Sequence, residues 1–238
     1  GSSQAAPGRA MMASPAEGAL KAGLESGGAM LETILLTGFG PFGDHGRNIS
    51  EEAVRRLDGL EIADGFVLKT LALPVQFERA VAALEEALEA ERPAAVLSFG
   101  IHEEPGFRIE LCAKNERHYA RKLPDGQVVL RPDVDGNVVE DARVEEGAPA
   151  MVFSTLPVAA IKQALDEAGL AAELSEDAGR YLCNAIFYWA ARRVTPAGFV
   201  HVPAAVERLD EVVEAARLAA QVTARRLAAQ RVEAEATA

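Results

Sequence analysis

The chain has 238 residues, of which 49% are hydrophobic and 25% charged, with a formal net charge of −12 and only two cysteines. This composition supplies one sizeable core, repels a nucleic-acid backbone, and offers a poor disulfide framework, so we expect a globular protein of the reducing cytoplasm without a nucleic-acid partner. No apolar run approaches the roughly 20 residues that cross a bilayer, so we expect no membrane span.

The first 29 residues are rich in Gly, Ala and Ser. They show neither a signal-peptide pattern nor a helical one, so we expect a flexible leader or tag. The fold is then predicted to begin near Met30 and to form a single domain over 30–238.

From Leu31 onward, apolar strand-like runs alternate with amphipathic helical ones, which predicts an α/β sheet covered on both faces. The predicted strands are 33–38, 66–72, 94–99, 107–113, 151–154 and 197–202. The predicted helices are 49–58, 76–91, 157–168, 182–193 and 205–230. The polar segment 116–148 contains several turn signals and is predicted to be a long loop or a small hairpin, of the kind that serves as a lid or an assembly arm.

A glycine-rich motif, Gly38-Phe39-Gly40-Pro41-Phe42-Gly43, follows the first predicted strand. It satisfies G-x-G-x-x-G, but no helix begins inside it and the expected acidic residue is misplaced, so a dinucleotide site is rejected. Two interpretations stay open. The motif is either a plain turn or a tight backbone from which Phe39 and Phe42 line a small apolar pocket.

Cys183 lies where a Gly turn leads into a predicted helix that starts near Leu182. A thiol at this position feels the positive end of the helix dipole, and the free backbone N–H groups favour a thiolate and can hold an oxyanion. The alternative is a buried structural cysteine, which is our expectation for Cys112 within its apolar strand.

His201 is the one histidine in an apolar strand, near its carboxyl end, where open α/β sheets place their sites. Glu110 lies in another apolar strand and must either face solvent or meet a partner such as an imidazolium. If Glu110 points inward, it completes a Cys-His-acid arrangement; otherwise both residues have ordinary surface or core roles. The other histidines, His45, His102 and His118, are expected to be exposed.

Together these segments resemble the pyroglutamyl peptidase I (pyrrolidone-carboxylate peptidase) family, from about Leu31 to Pro203. The most specific part runs from Leu170 through Asn184 and matches the family's cysteine signature. The segment 107–115 resembles the glutamate signature, and Phe199-Val200-His201-Val202-Pro203 resembles the segment with the catalytic histidine.

The resemblance implies a three-layer α/β/α sandwich with a mixed twisted sheet, no metal and no cofactor. It implies a cysteine peptidase that removes N-terminal pyroglutamyl residues from peptides and forms a homo-oligomer, a dimer or a tetramer. The implied catalytic residues are Cys183, His201 and Glu110. The implied substrate-binding residues are Phe39, Phe42, Asn48, Tyr181 and Leu182.

Several residues depart from the family pattern. Leu111 and Arg108 stand in the glutamate signature where the family has a basic residue and Ser or Thr, and 102–105 replaces a Gly-rich approach. We expect these changes to fall around the substrate. Two alternatives therefore stay open: a related amidase with a different acyl group, favoured if Arg108 or Arg121 lines the pocket, or an inactive binding or assembly homologue, favoured if the Cys183 thiol is inert.

Overall fold

The computed structural model describes residues 31–43, 46–122 and 125–237, with the backbone alone at 121–122. The predicted leader 1–29, His45 and the Arg121 side chain therefore lie outside the described part of the chain.

Eleven strands and five α-helices are described in these ranges. In chain order the strands are β1 (Glu32–Phe39), β2 (Glu61–Ile62), β3 (Phe66–Leu73), β4 (Ala95–His102), β5 (Phe107–Glu110), β6 (Cys112–Lys114), β7 (Ala120–Lys122), β8 (Val128–Leu130), β9 (Met151–Phe153), β10 (Ala172–Ser175) and β11 (Ala197–Pro203). The helices are α1 (Ile49–Arg55), α2 (Phe77–Glu91), α3 (Val158–Glu167), α4 (Leu182–Ala191) and α5 (Leu209–Ala236). None of these helices is both long and apolar enough to cross a membrane.

The main sheet has seven strands in the order β10-β5-β11-β4-β1-β3-β2. Its pairs are parallel, except that β5 runs antiparallel to β11 and β2 antiparallel to β3. Helices α1, α3 and α5 pack on one face, and α2 and α4 on the other. The predicted three-layer α/β/α sandwich with a mixed sheet is confirmed.

The central strands are apolar on both faces because helices cover both faces. In β1, Ile34 and Leu36 pack in the core of the α1/α3/α5 layer, whereas Leu35 packs in the core of the α2/α4 layer. The helical spacing that predicted α2 has the same origin, since Val81 and Leu84 are buried in the core of the α2/α4 layer. The apolar patterns of the strands and of the helices thus both reflect burial between the sheet and its two helix layers.

The predicted strand 107–113 is wrong in one respect, because it breaks at Leu111. The Leu111 N–H donates to Ser175 O in β10 across 2.7 Å, and the Leu111 carbonyl accepts from Ser154 N across 2.9 Å. The chain therefore leaves the main sheet here, and β6 pairs with β9 in a separate two-stranded sheet. Glu110 is left as the last residue of its strand in the main sheet.

The segment 116–148, called the arm below, contains the β7–β8 hairpin and returns to its own base. Asn115 closes that base. Its Nδ2 donates to Glu145 O at 2.8 Å and Ala148 O at 3.2 Å, and its Oδ1 accepts from Val144 N and Glu145 N, each at 2.9 Å. Tyr119 anchors the arm on the body of the domain and is only 2% exposed.

Candidate active site

Three elements bring Cys183, His201 and Glu110 to one place. Cys183 is the second residue of α4, His201 lies in β11, and Glu110 ends β5. The Nδ1 atom of His201 and Oε1 of Glu110 are 2.7 Å apart, within a hydrogen bond that is buried at both ends. Glu110 is fully buried, so the interpretation in which it faces solvent is ruled out.

The register of the sheet explains this meeting. In β11, Val200 and Val202 face the α1/α3/α5 layer, so by alternation Phe199 and His201 face α4. Glu110 is opposite Phe199 in the antiparallel β5–β11 pair, and Arg108 is opposite His201. Glu110 is therefore the diagonal neighbour of His201, a separation that a glutamate side chain spans.

The surroundings of His201 keep it protonated. Burial alone would lower the pKa of the imidazole, but Cys183 and Glu110 together raise it to about 9. At neutral pH the ring is then an imidazolium between the sulfur of Cys183 and the carboxylate of Glu110. The second oxygen of Glu110, Oε2, is buried without a hydrogen-bond partner among the described residues, so the carboxylate depends on His201 for its pairing.

The amino end of α4 leaves its backbone donors available at Cys183. Tyr181 is the N-cap, but its side chain makes no capping hydrogen bond. Its hydroxyl donates instead to Pro132 O, 3.2 Å away. The first N–H groups of the helix therefore have no acceptor on the N-cap side chain, and together with the helix dipole they make a site for negative charge beside the thiol.

Gly100 allows the thiol to approach the sheet. It lies in β4 as the register partner of His201. A Cβ at this position would lie 2.8 Å from Cys183 Sγ and 2.8 Å from Phe199 Cζ, closer than real Cβ atoms come to other atoms. Sequence reasoning missed this residue, although a glycine at the end of an apolar strand is a known signal of a close approach.

A small cavity adjoins Cys183, and all five predicted substrate-binding residues line it. The lining consists of Phe39, Phe42, Asn48, Val75, Ile101, Tyr181, Leu182 and Cys183. Val75 and Ile101 were not predicted. Its free volume is about 20 Å³, room for one or two water molecules, so a larger group enters only if the aromatic walls move apart.

Asn48 shapes the cavity wall with an amide that is already bonded. Its Oδ1 accepts from Ser50 N at 3.1 Å, which caps α1, and its Nδ2 donates to Gly40 O at 3.1 Å. Gly38 explains the glycine-rich motif. A Cβ there would lie 2.5 Å from Ser50 O, so this glycine lets α1 pack directly on β1.

The arm reaches the cavity through Arg131. Its guanidinium carbon lies 4.6 Å from the ring centroid of Phe42 and 5.1 Å from that of Tyr181. Tyr119 of the arm packs edge-on against Tyr181 with ring centroids 4.8 Å apart. The sequence did not predict Arg131, because the residues between it and the glycine-rich motif carry no signal of this contact.

The departures around Glu110 fall mostly outside the cavity. Arg108 points to the neighbouring strand, with its Nε 3.1 Å from Glu173 Oε1. Leu111 lines a groove with Cys112 and Phe153. Neither residue is among those that line the cavity, and the expectation that these two changes surround the substrate stays a prediction.

His102 was expected to be exposed and is not. It ends β4 with its ring half-buried 5.8 Å from the ring of His201, and its Nε2 bonds Gly106 O at 3.0 Å. Burial lowers the pKa of His102, so a neutral ring stands beside the charged one. His118 bonds the carbonyl of Glu140 on the arm surface.

The two cysteines are free thiols with different surroundings. Cys112 is buried with its Sγ 3.3 Å from Glu176 O, and burial raises the pKa of that thiol. Among the residues that the structure describes, no group of three or more His, Cys, Asp or Glu side chains is arranged to hold a metal ion.

The chain is similar to proteins of known family. The model of the pyroglutamyl peptidase family matches residues 32–237. The pyrrolidone-carboxylate peptidase of Chromobacterium violaceum is 36% identical over 205 residues, which cover 81% of this chain and 93% of the relative. That of Pyrococcus furiosus is 36% identical over 189 residues, covering 76% and 85%.

Solved structures show the same likeness. The pyrrolidone carboxyl peptidase of Thermococcus litoralis superposes with a TM-score of 0.75 at 30% identity, covering 83% of this chain and 95% of that one. The pyroglutamyl peptidase I of Bacillus amyloliquefaciens gives a TM-score of 0.74 at 28% identity, covering 82% and 96%.

Gly100→Ala is expected to slow alkylation of Cys183 about tenfold, because the new methyl group displaces the thiol. It should also destabilise the fold by about 1–3 kcal/mol, as overpacking does. Gly198→Ala is the matched control, since its Cβ would clash with Ser154 and lie 2.6 Å from Leu156 Cδ1, on another side of the strand layer. Iodoacetamide kinetics with thermal melts separate the two effects; equal alkylation rates in both folded variants would contradict the assignment.

Proposed function

This chain belongs to the pyroglutamyl peptidase family, and on that premise we propose that it hydrolyses the amide bond after an N-terminal pyroglutamyl residue of peptides, with Cys183 as nucleophile, His201 as acid and base, and Glu110 as the orienting acid. The observation that carries the proposal is the buried 2.7 Å pair of His201 and Glu110 beside a thiol at a helix amino end. The names of the relatives supply the substrate class.

Acyl transfer to the enzyme uses all three groups. The Cys183 sulfur forms a bond to the pyroglutamyl carbonyl carbon, and the N–H groups at the start of α4 bind the oxygen that becomes negative. As the carbon–nitrogen bond breaks, the imidazolium of His201 gives its proton to the departing amine. Glu110 holds the ring by Nδ1, which leaves the other nitrogen for this transfer.

Hydrolysis of the thioester reverses the roles. Neutral His201 takes a proton from water, the hydroxide oxygen bonds to the acyl carbon, and the carbon–sulfur bond breaks. Free pyroglutamate leaves, and the thiolate and imidazolium are restored. The buried carboxylate favours this last state because it stabilises the charged ring.

The cavity next to Cys183 receives the lactam ring in this proposal. Phe39, Phe42, Tyr181 and Leu182 supply apolar contact, which by itself is worth only a few kcal/mol. The Nδ2 group of Asn48 donates one of its two hydrogens to Gly40 O, so the second is left to bond the lactam. Phe42 and Tyr181 must separate from Arg131 to admit the ring.

The alternative of a different acyl group was tied to Arg108 or Arg121 in the pocket. Arg108 is paired instead with Glu173 on the adjacent strand, and the Arg121 side chain lies outside the described part of the chain. An inactive homologue is disfavoured, because the buried pair of His201 and Glu110 lies beside a thiol at a helix amino end, as a reactive arrangement requires.

A cytoplasmic location is part of the proposal. Both cysteines are free, and Cys183 must stay reduced to act as a nucleophile. Fractionation of the source cells tests this, and recovery of the active protein outside the cytoplasm would contradict it.

Cys183→Ser is expected to lower kcat by about 10³-fold or more, because a hydroxyl is far harder to ionise beside the same imidazolium. Cys112→Ser should keep most activity, since that thiol is buried away from the cavity. The measurement is release of a reporter amine from a pyroglutamyl amide, with circular dichroism to verify folding. Equal losses in the two folded variants would sink the assignment of the nucleophile.

The pH profile should report His201. Its pKa of about 9 lies above the ordinary 6.5, so the proton needed by the leaving amine is present at neutral pH and kcat/KM should fall as pH rises through about 9. By the same sign, the pair stabilises the fold below pH 6.5 and loses that contribution through about pH 9.

Glu110→Gln removes one of the groups that raise the pKa, so the alkaline limb should move to lower pH. We expect kcat to fall by about 10²-fold or more with a much smaller change in KM, since the carboxylate acts on the ring and not on substrate binding. A folded variant with an unchanged limb would show that Glu110 does not orient His201.

We also propose that the chain forms a homo-oligomer through the β9 edge. Phe153 is 66% exposed and Met151 38%, and they line one groove with Leu111 and Cys112. Light scattering after gel filtration should give a dimer or tetramer for the wild type and a smaller particle for Phe153→Lys. Val128→Lys is the control, because Val128 is 64% exposed on the β7–β8 hairpin. A monomeric wild type at micromolar concentration would refute the proposal.

A further inference from the structure

Asn184, the residue after the proposed nucleophile, is fully buried and has every polar group bonded to backbone. Its Oδ1 accepts from Lys114 N at 2.8 Å. Its Nδ2 donates to Lys114 O and to Glu116 O, each at 2.9 Å. A side-chain amide is costly to bury without partners, so these three bonds hold the residue in one position.

The partners of Asn184 belong to the segment that leaves Glu110. Three residues separate Glu110 from Lys114, and this stretch runs through β6 to the base of the arm. Asn184 therefore joins the helix that carries the thiol to the strand continuation that follows the carboxylate. No bond within α4 sets that relation, because a helix fixes only its own residues.

Neighbouring contacts tie the same two segments together at the surface. The Arg180 Nε donates to Glu116 Oε2 at 2.5 Å, and the His118 N–H donates to Arg180 O at 2.9 Å. The Arg180 ion pair is partly exposed and therefore weak. Asn184 is the buried member of this set, and its bonds are shielded from water.

We propose that Asn184 is a positioning residue that sets the place of the Cys183 thiol relative to the His201–Glu110 pair. Its effect on turnover depends on the proposed peptidase function. Its effect on the thiol does not, because the reactivity of Cys183 is measured without substrate.

The test compares Asn184→Ala with Asn115→Ala, both in a Cys112→Ser background so that iodoacetamide reports Cys183 alone. Asn115 is the matched control, since it is 2% exposed and also makes four backbone hydrogen bonds, but all within the arm base. We expect Asn184→Ala to slow alkylation at neutral pH about tenfold and to lower kcat about 10- to 100-fold, with KM within about threefold of wild type. Asn115→Ala should stay within about threefold in all three.

Two outcomes would overturn the proposal, and a third would separate it from the proposed function. Equal effects of both alanine variants, per folded molecule, would mean that each asparagine only stabilises the fold and would overturn it. Unchanged alkylation in folded Asn184→Ala would also overturn it. If the wild type does not cleave a pyroglutamyl amide, the proposed function is refuted. The alkylation rates then decide the role of Asn184.

Asn184→Asp keeps the inference testable if the alanine variant fails to fold. It retains the size of the side chain and the acceptor for Lys114 N but loses both bonds that Nδ2 donates. A folded Asn184→Asp variant with slower alkylation and lower kcat than wild type would support positioning by the amide. A folded variant with wild-type values in both would contradict it.

Discussion

The hydrogen bond between His201 and Glu110 is the constraint on which the site depends. A fully buried carboxylate is tolerated only when a donor or a positive charge meets it, and here one imidazole supplies both. The antiparallel β5 strand exists at this place in an otherwise largely parallel region and sets Glu110 diagonal to His201. The break at Leu111 then frees the chain to leave the sheet directly after the acid.

The proposed nucleophile, Cys183, adds a second constraint, because its helix must come close to the sheet. Gly100 removes the one side chain that would stand between Cys183 and the strand layer. On the other side, the start of α4 is held by Asn184 to the segment that follows Glu110. Three different features therefore place these groups. The strand register sets Glu110 beside His201, and the absence of a side chain at Gly100 and the buried amide of Asn184 set the position of the helix that carries the thiol.

The arm links this machinery to its surroundings. It follows β6, its base is closed by Asn115, and it places Arg131 over Phe42 and Tyr181. The arm therefore contacts the cavity wall, since Phe42 and Tyr181 line the cavity and also lie under Arg131. Arg108 and Leu111, which depart from the family's glutamate signature, are not among the residues that line the cavity.

The order of layers could be predicted from the sequence, because apolar periodicity reports burial. The choice of Cys183, His201 and Glu110 rested on the resemblance to the family's signatures, because local sequence alone left each of them an ordinary core or surface role. The strand break at Leu111, the half-burial of His102, the identity of the groups that approach Gly100 and the bonds of Asn184 could not be predicted. Each of these is decided by contacts between segments far apart in the chain, and local sequence carries no record of which distant backbone atom a buried polar group or a missing Cβ will meet.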